Sequence, residues 1–351
     1  MAELRNIPDF NILVDRKNLK TEERVDVLDL SVTTDIFLPS MFVIHLNIWD
    51  SGTQEFKWLD DALFAEGKEV QIKLGYADNQ KEVMSGDIVS LEPEFHEGEV
   101  PTLKIRGYSK LHLLQRGRIS RSFLKMKDSD IASKIAGEMG LRSQVDNTPE
   151  THEYVFQNNQ TNAEFLLQRA RRIRYEVFVK EKTLHFRKAV NNSGKSITLE
   201  YGQTLKSFYP RLSTMQQVSE VIVQAWDPLQ KKMIQGKATK GDVISTMGGK
   251  KLGVKNSEKA FGKKQTFIVD KPIFSNGEAL QMAKGKINDV ASSYIRGEAS
   301  AIGNPDIRAG EVIELDKLGD RFSGLYYITS VTHIIDQSGY TTKFKVERTA
   351  A

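Results

Sequence analysis

The sequence predicts a mainly β protein with α/β insertions, in which two β domains of one design flank a small α/β module. Three observations lead to this prediction. Short stretches of alternating or β-branched residues, separated by turn residues, fill the first hundred positions and return near the end. Helical periodicity occupies the middle of the chain. Finally, the features of the first β region recur in the same order in the last one.

The first hundred residues predict six strands, with clusters of turn residues between them at the spacing of an antiparallel sandwich or barrel. The predicted strands are Phe10–Val14, Val25–Val32, Met41–Ile48, Val70–Leu74, Asp87–Leu91 and Pro101–Arg106. Turn residues separate them at Pro39-Ser40, Asp50–Gly52, Ala77–Asn79 and His96–Gly98.

The period becomes helical from Ser120 onward. Asp128 is expected to cap a helix that Gly140 ends, with its apolar face formed by Ile131, Ala132, Ile135, Ala136 and Met139. A second helix is predicted within residues 162–174, with an apolar stripe of Ala163, Leu166, Leu167, Ala170 and Ile173. A hairpin of Tyr175–Val179 and Thr183–Phe186 follows.

Strands return after Lys206, in Val218–Trp226 and Met233–Ala238, and the chain closes with Glu311–Leu315, Tyr326–Ile335 and Thr342–Glu347. Between them, residues 231–264 hold ten lysines and six glycines, which predicts a mobile, lysine-rich loop. Ser275 and Glu278 form a capping box for a long helix over residues 275–297, ended by Gly297.

The predicted organisation has three parts. Residues 1–112 form the first β domain, residues 113–205 the α/β module, and residues 206–351 the second β domain, into which the lysine-rich loop 231–264 and the helix 275–297 are inserted.

The two β domains show an internal repeat of features. Glu69-Val70 corresponds to Glu311-Val312, and Ser85-Gly86 followed by Ser90-Leu91 corresponds to Ser323-Gly324 followed by Ser330-Val331. Gly98 then precedes Leu103–Ile105 as Gly339 precedes Phe344–Val346. The repeat predicts one topology for both domains.

Composition excludes several classes of function. The 351 residues include no cysteine, so disulfides, thiolate metal sites and a cysteine nucleophile are excluded. The net charge of +4 is too balanced to make nucleic acid the default partner. The first residues do not resemble a signal peptide, and the longest apolar-rich run, Met41–Trp49, is too short to cross a bilayer.

Templates for catalytic and metal sites fit the sequence poorly. Gly194-Lys195-Ser196 resembles the tail of a phosphate-binding loop, but Ala189 stands at the first glycine position and strand-like residues follow. The six histidines are scattered without metal-site spacing, and are His45, His96, His112, His152, His185 and His333. The carboxylates Glu92, Glu94, Glu97 and Glu99 are interpreted as part of a solvated hairpin tip. We therefore expect no enzyme activity, cofactor or metal.

Two basic clusters are candidate partner contacts. Arg169 and Arg172 belong to a group, with Arg116, Arg118, Arg121, Arg171 and Arg174, that could contact phosphates; a solvated helix face pairing with Glu164 and Glu176 is preferred. In the lysine-rich loop, Lys250, Lys251, Lys263 and Lys264 are candidates for contact with a partner, and a solubilising spacer is the alternative.

Five stretches of the chain resemble, in order, the phage late control protein D and VgrG family of tail hub proteins. They are Gly107–Arg118 with Met126–Ala132, Asn159–Leu166 with Arg169 and Tyr175, Ala225–Pro228, Gly303–Pro305 with Arg308–Gly310, and Phe322–Gly324 with Tyr327. Together they span nearly the whole chain.

The resemblance implies that the two β domains are antiparallel barrels like those of tail-tube proteins, and that the protein is a structural baseplate hub. Such a hub is a homotrimer, whose six barrels match a six-fold tail tube, or a tube-initiator protein, on one face and a trimeric spike on the other. Other baseplate proteins are further partners. Assembly would take place in the bacterial cytoplasm, and the final location would be a virion tail or a released injection particle.

The chain reaches Ala351 without the oligonucleotide-fold domain and needle of many VgrG proteins, so the resemblance implies a separate needle protein. Phage, tailocin and extracellular injection system are not distinguished, nor is the cargo. Two other functions stay open at this point. One is nucleic-acid binding by the basic helix and the lysine-rich loop, and the other is a hydrolase that uses a carboxylate pair such as Glu92 with Glu94 or Glu97.

Overall fold

The computed structural model describes residues 7–77, 79–189, 196–228 and 230–351. The strands and helices of these residues fall into three consecutive groups. The first group is β1 (Pro8–Val14), β2 (Lys17–Asn18), α1 (Thr21–Val25), β3 (Val27–Asp35), β4 (Met41–Asn47), β5 (Trp49–Asp50), β6 (Glu55–Phe56), β7 (Glu69–Tyr76), β8 (Asn79–Glu94) and β9 (Thr102–Tyr108).

The second group forms the α/β module. It consists of β10 (Ile119–Lys127), α2 (Asp128–Glu138), β11 (Arg142–Val145), β12 (Thr151–Gln160), α3 (Asn162–Arg172), β13 (Tyr175–Lys180) and β14 (Thr183–Lys188). Short 3-10 helices occur at Ala62–Phe64, Lys110–Gln115 and Lys240–Asp242.

The third group completes the chain. It consists of β15 (Ile197–Glu200), β16 (Leu205–Leu212), β17 (Glu220–Asp227), β18 (Lys232–Thr239), α4 (Gly253–Phe261), β19 (Gln265–Ile268), α5 (Asn276–Ser292), β20 (Ile295–Ile302), β21 (Val312–Asp316), α6 (Gly319–Phe322), β22 (Gly324–Asp336) and β23 (Gly339–Arg348). The mainly β class with α/β insertions is confirmed.

The two barrels have the same strand order. The first barrel runs β3-β4-β9-β8-β7-β1, and the second runs β16-β20-β23-β22-β21-β15. Corresponding neighbours are antiparallel, except that β1 pairs antiparallel with β7 whereas β15 pairs parallel with β21. The strand order therefore confirms the predicted repeat at the level of strands.

Two register irregularities fix the residue alignment of the repeat. A bulge between Ile88 and Ser90 on β8 matches one between Ile328 and Ser330 on β22. A second, between Val27 and Asp29 on β3, matches one between Leu205 and Ser207 on β16. Identical bulges at identical positions are specific features of a backbone, so chance alternation does not account for the repeat.

This alignment corrects part of the predicted one. Ser90 does correspond to Ser330, but the ladders place Gly86 opposite Val70 and Tyr326 opposite Ile313, so Gly86 corresponds to Tyr326 and not to Gly324. On the last strand, Ile105 corresponds to Phe344, two residues from the predicted pairing of Leu103 with Phe344. Loop lengths that differ between the barrels concealed this shift.

The barrels are joined edge to edge within one sheet. Strand β22 of the second barrel pairs antiparallel with β3 of the first, from Ser330 opposite Asp35 to Ile335 opposite Leu30. Ile335 and Tyr340 consequently pack into the apolar core of the first barrel. Further separate cores lie inside the α/β module, the second barrel and the insertion that follows β16.

This insertion, residues 213–294, connects β16 to β20. In the first barrel the equivalent connection, between β3 and β4, is only residues 36–40. The insertion contains a three-stranded sheet in the order β18-β17-β19, with α5 packed on one face. The division into domains at residues 112 and 205 stays a proposal, and β15, which precedes residue 205, pairs with β21 of the second barrel.

The prediction of a mobile loop over residues 231–264 is wrong. Strand β18 lies there, in agreement with the strand predicted over Met233–Ala238, and α4 follows it. Ile234 and Ala238 are buried against α5, and a Cβ on Gly236 would come within 2.2 Å of the α5 backbone at Ala279. The lysines occupy the exposed positions of these elements, so they dominate the composition without disrupting the fold.

Several predicted boundaries are also corrected. The helix predicted over 275–297 ends at Ser292, and Gly297 lies in β20, where a Cβ would come within 2.5 Å of the Phe208 ring. Ser275 does cap it, accepting from the amide of Glu278 at 2.9 Å. The strand predicted from Val25 begins at Val27, because the residues before it form α1. Within the described parts of the chain, none of the helices has the length and apolarity that a bilayer crossing requires.

Candidate assembly surfaces

Helices α2 and α3 are held together by a buried ion pair. Arg169 donates from Nε and Nη2 to the two carboxylate oxygens of Asp128, at 2.6 and 3.1 Å, and His152 lies against both. Burial opposes the charged form of Asp128, but hydrogen bonding from His152 and the charge of Arg169 outweigh it and lower the pKa of this carboxyl. Asp128 is the first residue of α2, and Lys127 is in the capping position. The prediction that Asp128 caps this helix is therefore wrong.

The same corner connects the α/β module to the insertion. Arg172 donates to Glu278 at the start of α5, at 2.8 Å, and to the carbonyl of Pro272. Arg169 is only 7% exposed. The exposed basic surface expected from Arg169 and Arg172 is therefore corrected: both guanidinium groups neutralise internal carboxylates and hold three elements together.

A second buried cluster fastens the module to the second barrel. The Tyr327 hydroxyl on β22 donates to the carboxylate of Glu176 on β13, which also accepts from Arg187 at 3.1 Å. Burial raises the pKa of Glu176, and burial together with the Glu176 charge raises that of Tyr327 well above its ordinary value. Arg174 is likewise enclosed, pairing with Asp289 of α5.

Two of the carboxylates considered for hydrolysis, Glu92 and Glu94, form structural ion pairs. Glu92 and Glu94 lie in strand β8 and not in a hairpin tip, which corrects the interpretation of this segment. Glu92 accepts two hydrogen bonds from Arg106 across the β8-β9 ladder, at 2.8 and 3.0 Å, and these lower its pKa to about 2. Glu94 accepts from Lys104 at 2.6 Å. Neither carboxylate is poised to exchange a proton near neutral pH.

The four lysines that are candidates for partner contact are all exposed and lie at two places on the insertion. Lys263 and Lys264 precede the edge strand β19, whereas Lys250 and Lys251 lie beside the last residues of the chain. Residues 213–294 contain 13 lysines, no arginine and 7 Asp or Glu, a formal net charge of +6. The insertion is therefore more basic than the whole chain, whose net charge is +4.

A cavity of about 410 Å³ lies where the first barrel, the α/β module and the second barrel meet. Charged side chains of both signs line it, including Lys81, Glu82, Lys180 and Arg308. His333 at its wall is buried, which lowers its pKa to about 4, and its Nδ1 lies within hydrogen-bonding distance of the Tyr340 hydroxyl at 2.9 Å and of the Thr342 hydroxyl at 3.2 Å.

The residues that the structure describes contain no group of three or more His, Asp or Glu side chains placed to hold a metal ion. In the segment that resembles a phosphate-binding loop, Gly194 and Lys195 lie outside the described residues.

One surface escaped the sequence analysis. Strand β16 and residues 90–94 of β8 each have a neighbouring strand on one side only within the described sheet. Exposed aromatic residues lie along both edges: Tyr209 is 73% exposed and Phe95 is 55% exposed. The internal repeat is the sequence signal that could have indicated these two open edges, provided that the strands of the two barrels were matched correctly.

Solved structures with a similar fold include tail proteins. The 43 kDa tail protein of prophage MuSo2 from Shewanella oneidensis superposes with a TM-score of 0.71 at 13% identity, covering 97% of this chain and 98% of that one. The tail protein from Neisseria meningitidis MC58 gives 0.69 at 12% identity, covering 97% and 96%.

A third similar structure is the E. coli c3393 protein, described as a component of the type VI secretion system with similarity to bacteriophage T4 tail proteins gp27 and gp5. It gives a TM-score of 0.59 at 11% identity and covers 93% of this chain and 74% of that one. The fold is thus the one found in tail proteins and in this secretion-system component.

The family assignment comes from the sequence. The model of the Alg8 N-terminal domain matches residues 5–337, and the chain belongs to this family. No curated protein gives a match to the sequence.

The buried pair of Asp128 and Arg169 gives a stability prediction. Asp128→Asn leaves a buried guanidinium uncompensated, so we expect a loss of about 3–5 kcal/mol in the free energy of unfolding at pH 7, measured by urea denaturation. Glu298→Gln breaks an exposed pair with Lys345 and serves as the control, with a change below about 0.5 kcal/mol.

The pH dependence of the same pair has a definite sign. The folded-state pKa of Asp128 is lowered, so its stabilisation is complete above the unfolded-state pKa and is lost as the pH falls through the folded-state value. The difference between parent and Asp128→Asn should therefore shrink in acid. A difference that is small at pH 7, or that grows in acid, would show that the pair does not stabilise the junction.

Proposed function

We propose that the protein is the homotrimeric baseplate hub of a contractile phage tail or phage-like injection system, joining a six-fold tail tube to a three-fold spike. The observation that carries the proposal is the presence, in one chain, of two barrels with the same strand order joined edge to edge. Three chains then supply six similar barrels while keeping three-fold symmetry.

The differences between the two barrels suit the binding of a three-fold spike. Only the second barrel carries the insertion of residues 213–294, and only the first is followed directly by the α/β module. A trimer would repeat these features three times around a ring of six barrels. A six-fold partner can bind the surfaces that both barrels share. A three-fold partner can bind the insertion or the α/β module, each of which occurs once per chain.

A structural role, without catalysis, is part of the proposal. Glu92 and Glu94 are neutralised by cross-strand cations, and Arg169 and Arg172 are paired with the internal carboxylates Asp128 and Glu278. The partners we propose are further copies of the chain, a tail tube or tube-initiator protein, a trimeric spike and other baseplate proteins. Assembly would occur in the bacterial cytoplasm, before the particle reaches its place in a virion tail or is released.

Native mass spectrometry tests the oligomeric state. We expect a species of three times the chain mass of 39.7 kDa, formed by the protein alone or after mixing with the purified tube and spike proteins of the same particle. A protein that stays monomeric in both samples would contradict the hub function.

The exposed lysines are expected to contact an acidic neighbouring protein of the baseplate. Replacing Lys250, Lys251, Lys263 and Lys264 together by serine should preserve the trimer, because these side chains lie outside the cores. Attachment to the neighbour should weaken, and the difference from the parent should shrink as salt rises, since charges are screened beyond about 8 Å at physiological ionic strength.

A matched control is the quadruple replacement of Lys17, Lys20, Lys125 and Lys182, which are exposed lysines outside the insertion. It removes the same charge and should leave attachment unchanged. Equal attachment of both variants and the parent at low salt would mean that the lysines of the insertion serve only solubility.

A further inference from the structure

The joint between the two barrels shows how the edges of this fold pair. On β22, the ladder with β21 ends at Tyr327, and the ladder with β3 begins at Ser330 on the same side of the strand. The amide of Ile36 donates to the carbonyl of Thr329 at 3.2 Å, which makes that position a hydrogen-bonded pair. Alternate pairs along the joint, such as Thr34 with Val331, are therefore also hydrogen-bonded.

The joint inside the chain is formed by β22 and β3. Their counterparts in the repeat, β8 and β16, each have an open edge in the described sheet. Strand β8 is the counterpart of β22, and its ladder with β7 ends at Asp87, the counterpart of Tyr327. Residues 90–95 then correspond to the residues of β22 that pair with β3. Strand β16 is the counterpart of β3, because Phe208 opposite Ala299 matches Leu30 opposite Ile44.

We propose that β8 of one copy pairs antiparallel with β16 of the next copy, in the register of the joint inside the chain. This inference rests on the proposed trimeric hub and names the contact that closes it. The aligned register places Ser90 opposite Ser213, Glu92 opposite Arg211, Glu94 opposite Tyr209 and Phe95 opposite Phe208 of the neighbouring copy. It is a heterologous contact that closes after three copies.

Side chains on the two edges are complementary in this register. Inside the chain, the hydroxyls of Thr33 and Thr332 are hydrogen-bonded across the joint at 3.0 Å. Their counterparts are Arg211 and Glu92, residues of opposite charge. Opposite charges that face each other directly on antiparallel strands stabilise the pairing of those strands.

Apolar residues continue both cores across the contact. Leu91 packs against the core of the first barrel and Leu212 against that of the second, and the register makes them a directly opposed pair. Phe95 is the counterpart of Ile335, which is buried in the core of the adjoining barrel. The pairing therefore gives the exposed ring of Phe95 the position that Ile335 occupies inside the chain.

Two prolines fall at the same level of this register. Pro93 and Pro210 would face each other at the position of His333 and Val32, a hydrogen-bonded pair in the joint. Proline has no amide hydrogen, so each one discourages pairing of an open edge with an ordinary strand. When the two prolines face each other, the ladder loses its hydrogen bonds at one residue pair only. Hydrogen-bonded pairs remain available on either side, at Leu91 with Leu212 and at Phe95 with Phe208.

The resulting ring encloses a channel. Each chain contributes the eight strands from β16 to β8 in the sheet order, so three copies give 24. At a strand spacing of about 4.8 Å the circumference is about 115 Å, and the diameter between backbones is about 37 Å before strand tilt is included. One face of this sheet carries the alternate, polar positions, among them Lys104, Arg106, Lys343 and Lys345.

Double-cysteine cross-linking tests the register, and the chain is suited to it because it has no cysteine. Glu94 and Tyr209 would form a non-hydrogen-bonded pair, for which Cα atoms lie about 4.5 Å apart, within the range of a disulfide. On mild oxidation, Glu94→Cys with Tyr209→Cys should give a covalent trimer on a non-reducing gel that dithiothreitol returns to monomer.

The matched control shifts the pair by one repeat on the same face. Glu92→Cys with Tyr209→Cys places the two cysteines diagonally, about 7–8 Å apart, and should give at least tenfold less covalent trimer. Each single variant should give none. Circular dichroism melting of every variant confirms folding, since Glu94 and Tyr209 are both at the surface.

The outcomes separate this inference from the hub proposal. A parent protein that forms a trimer, while Glu94→Cys with Tyr209→Cys gives no covalent trimer or less than the shifted control, overturns the strand pairing and leaves the hub function standing. A parent that stays monomeric with the tube and spike proteins overturns the hub function itself, and the pairing with it.

Discussion

Backbone pairing between β22 and β3 is the constraint on which the rest of the molecule depends. It places two barrels of the same strand order side by side in one sheet, from Ser330 opposite Asp35 to Ile335 opposite Leu30. The orientation of the second barrel relative to the first is thereby fixed by a ladder of hydrogen bonds and by Ile335 and Tyr340 in the first core. Everything else that we infer about assembly is an extension of this geometry.

Buried ion pairs and a buried hydrogen bond hold the α/β module together and connect it to the insertion and to that sheet. Asp128 with Arg169 holds the helices of the module, Arg172 with Glu278 ties them to α5, and Glu176 with Tyr327 ties the module to β22. Ion pairs of this kind contribute little net stability compared with apolar packing, but a broken pair is costly. They therefore specify one arrangement of the parts, which suits a protein that must present fixed surfaces to several neighbours.

Local patterns in the sequence predicted the elements that have a clear period. The alternation in Met41–Ile48 marks β4, the capping residue Ser275 marks the start of α5, and the hairpin β13-β14 lies where β-branched residues predicted it. The strand predicted over Met233–Ala238 is β18, but the rest of 231–264 was wrongly predicted as a mobile loop, because its lysines concealed the short buried face of α4 with Val254 and Ser257. Composition reports what faces water, whereas alternation reports what faces the core.

The arrangement of the sites could not be predicted in the same way. Arg169 has the local pattern of a solvated helix face, and its burial depends on Asp128, 41 residues earlier in the chain. The open edges at Ser90 and Ser213 are defined by a joint between residues about 300 positions apart, such as Thr33 and Thr332. Strand pairing at such separations leaves no local signal, so the sequence indicated the repeat without indicating how its copies meet.

The most direct measurement of the central claim is residue-level amide hydrogen exchange on the assembled trimer. Thr34 and Val331 form a hydrogen-bonded pair inside the chain, and Leu91 and Leu212 are their counterparts between copies. If the ring repeats the internal joint, the amides of Leu91 and Leu212 exchange slowly, with protection comparable to that of Thr34 and Val331. Fast exchange at Leu91 and Leu212 in a trimer whose Thr34 and Val331 amides are protected would contradict it.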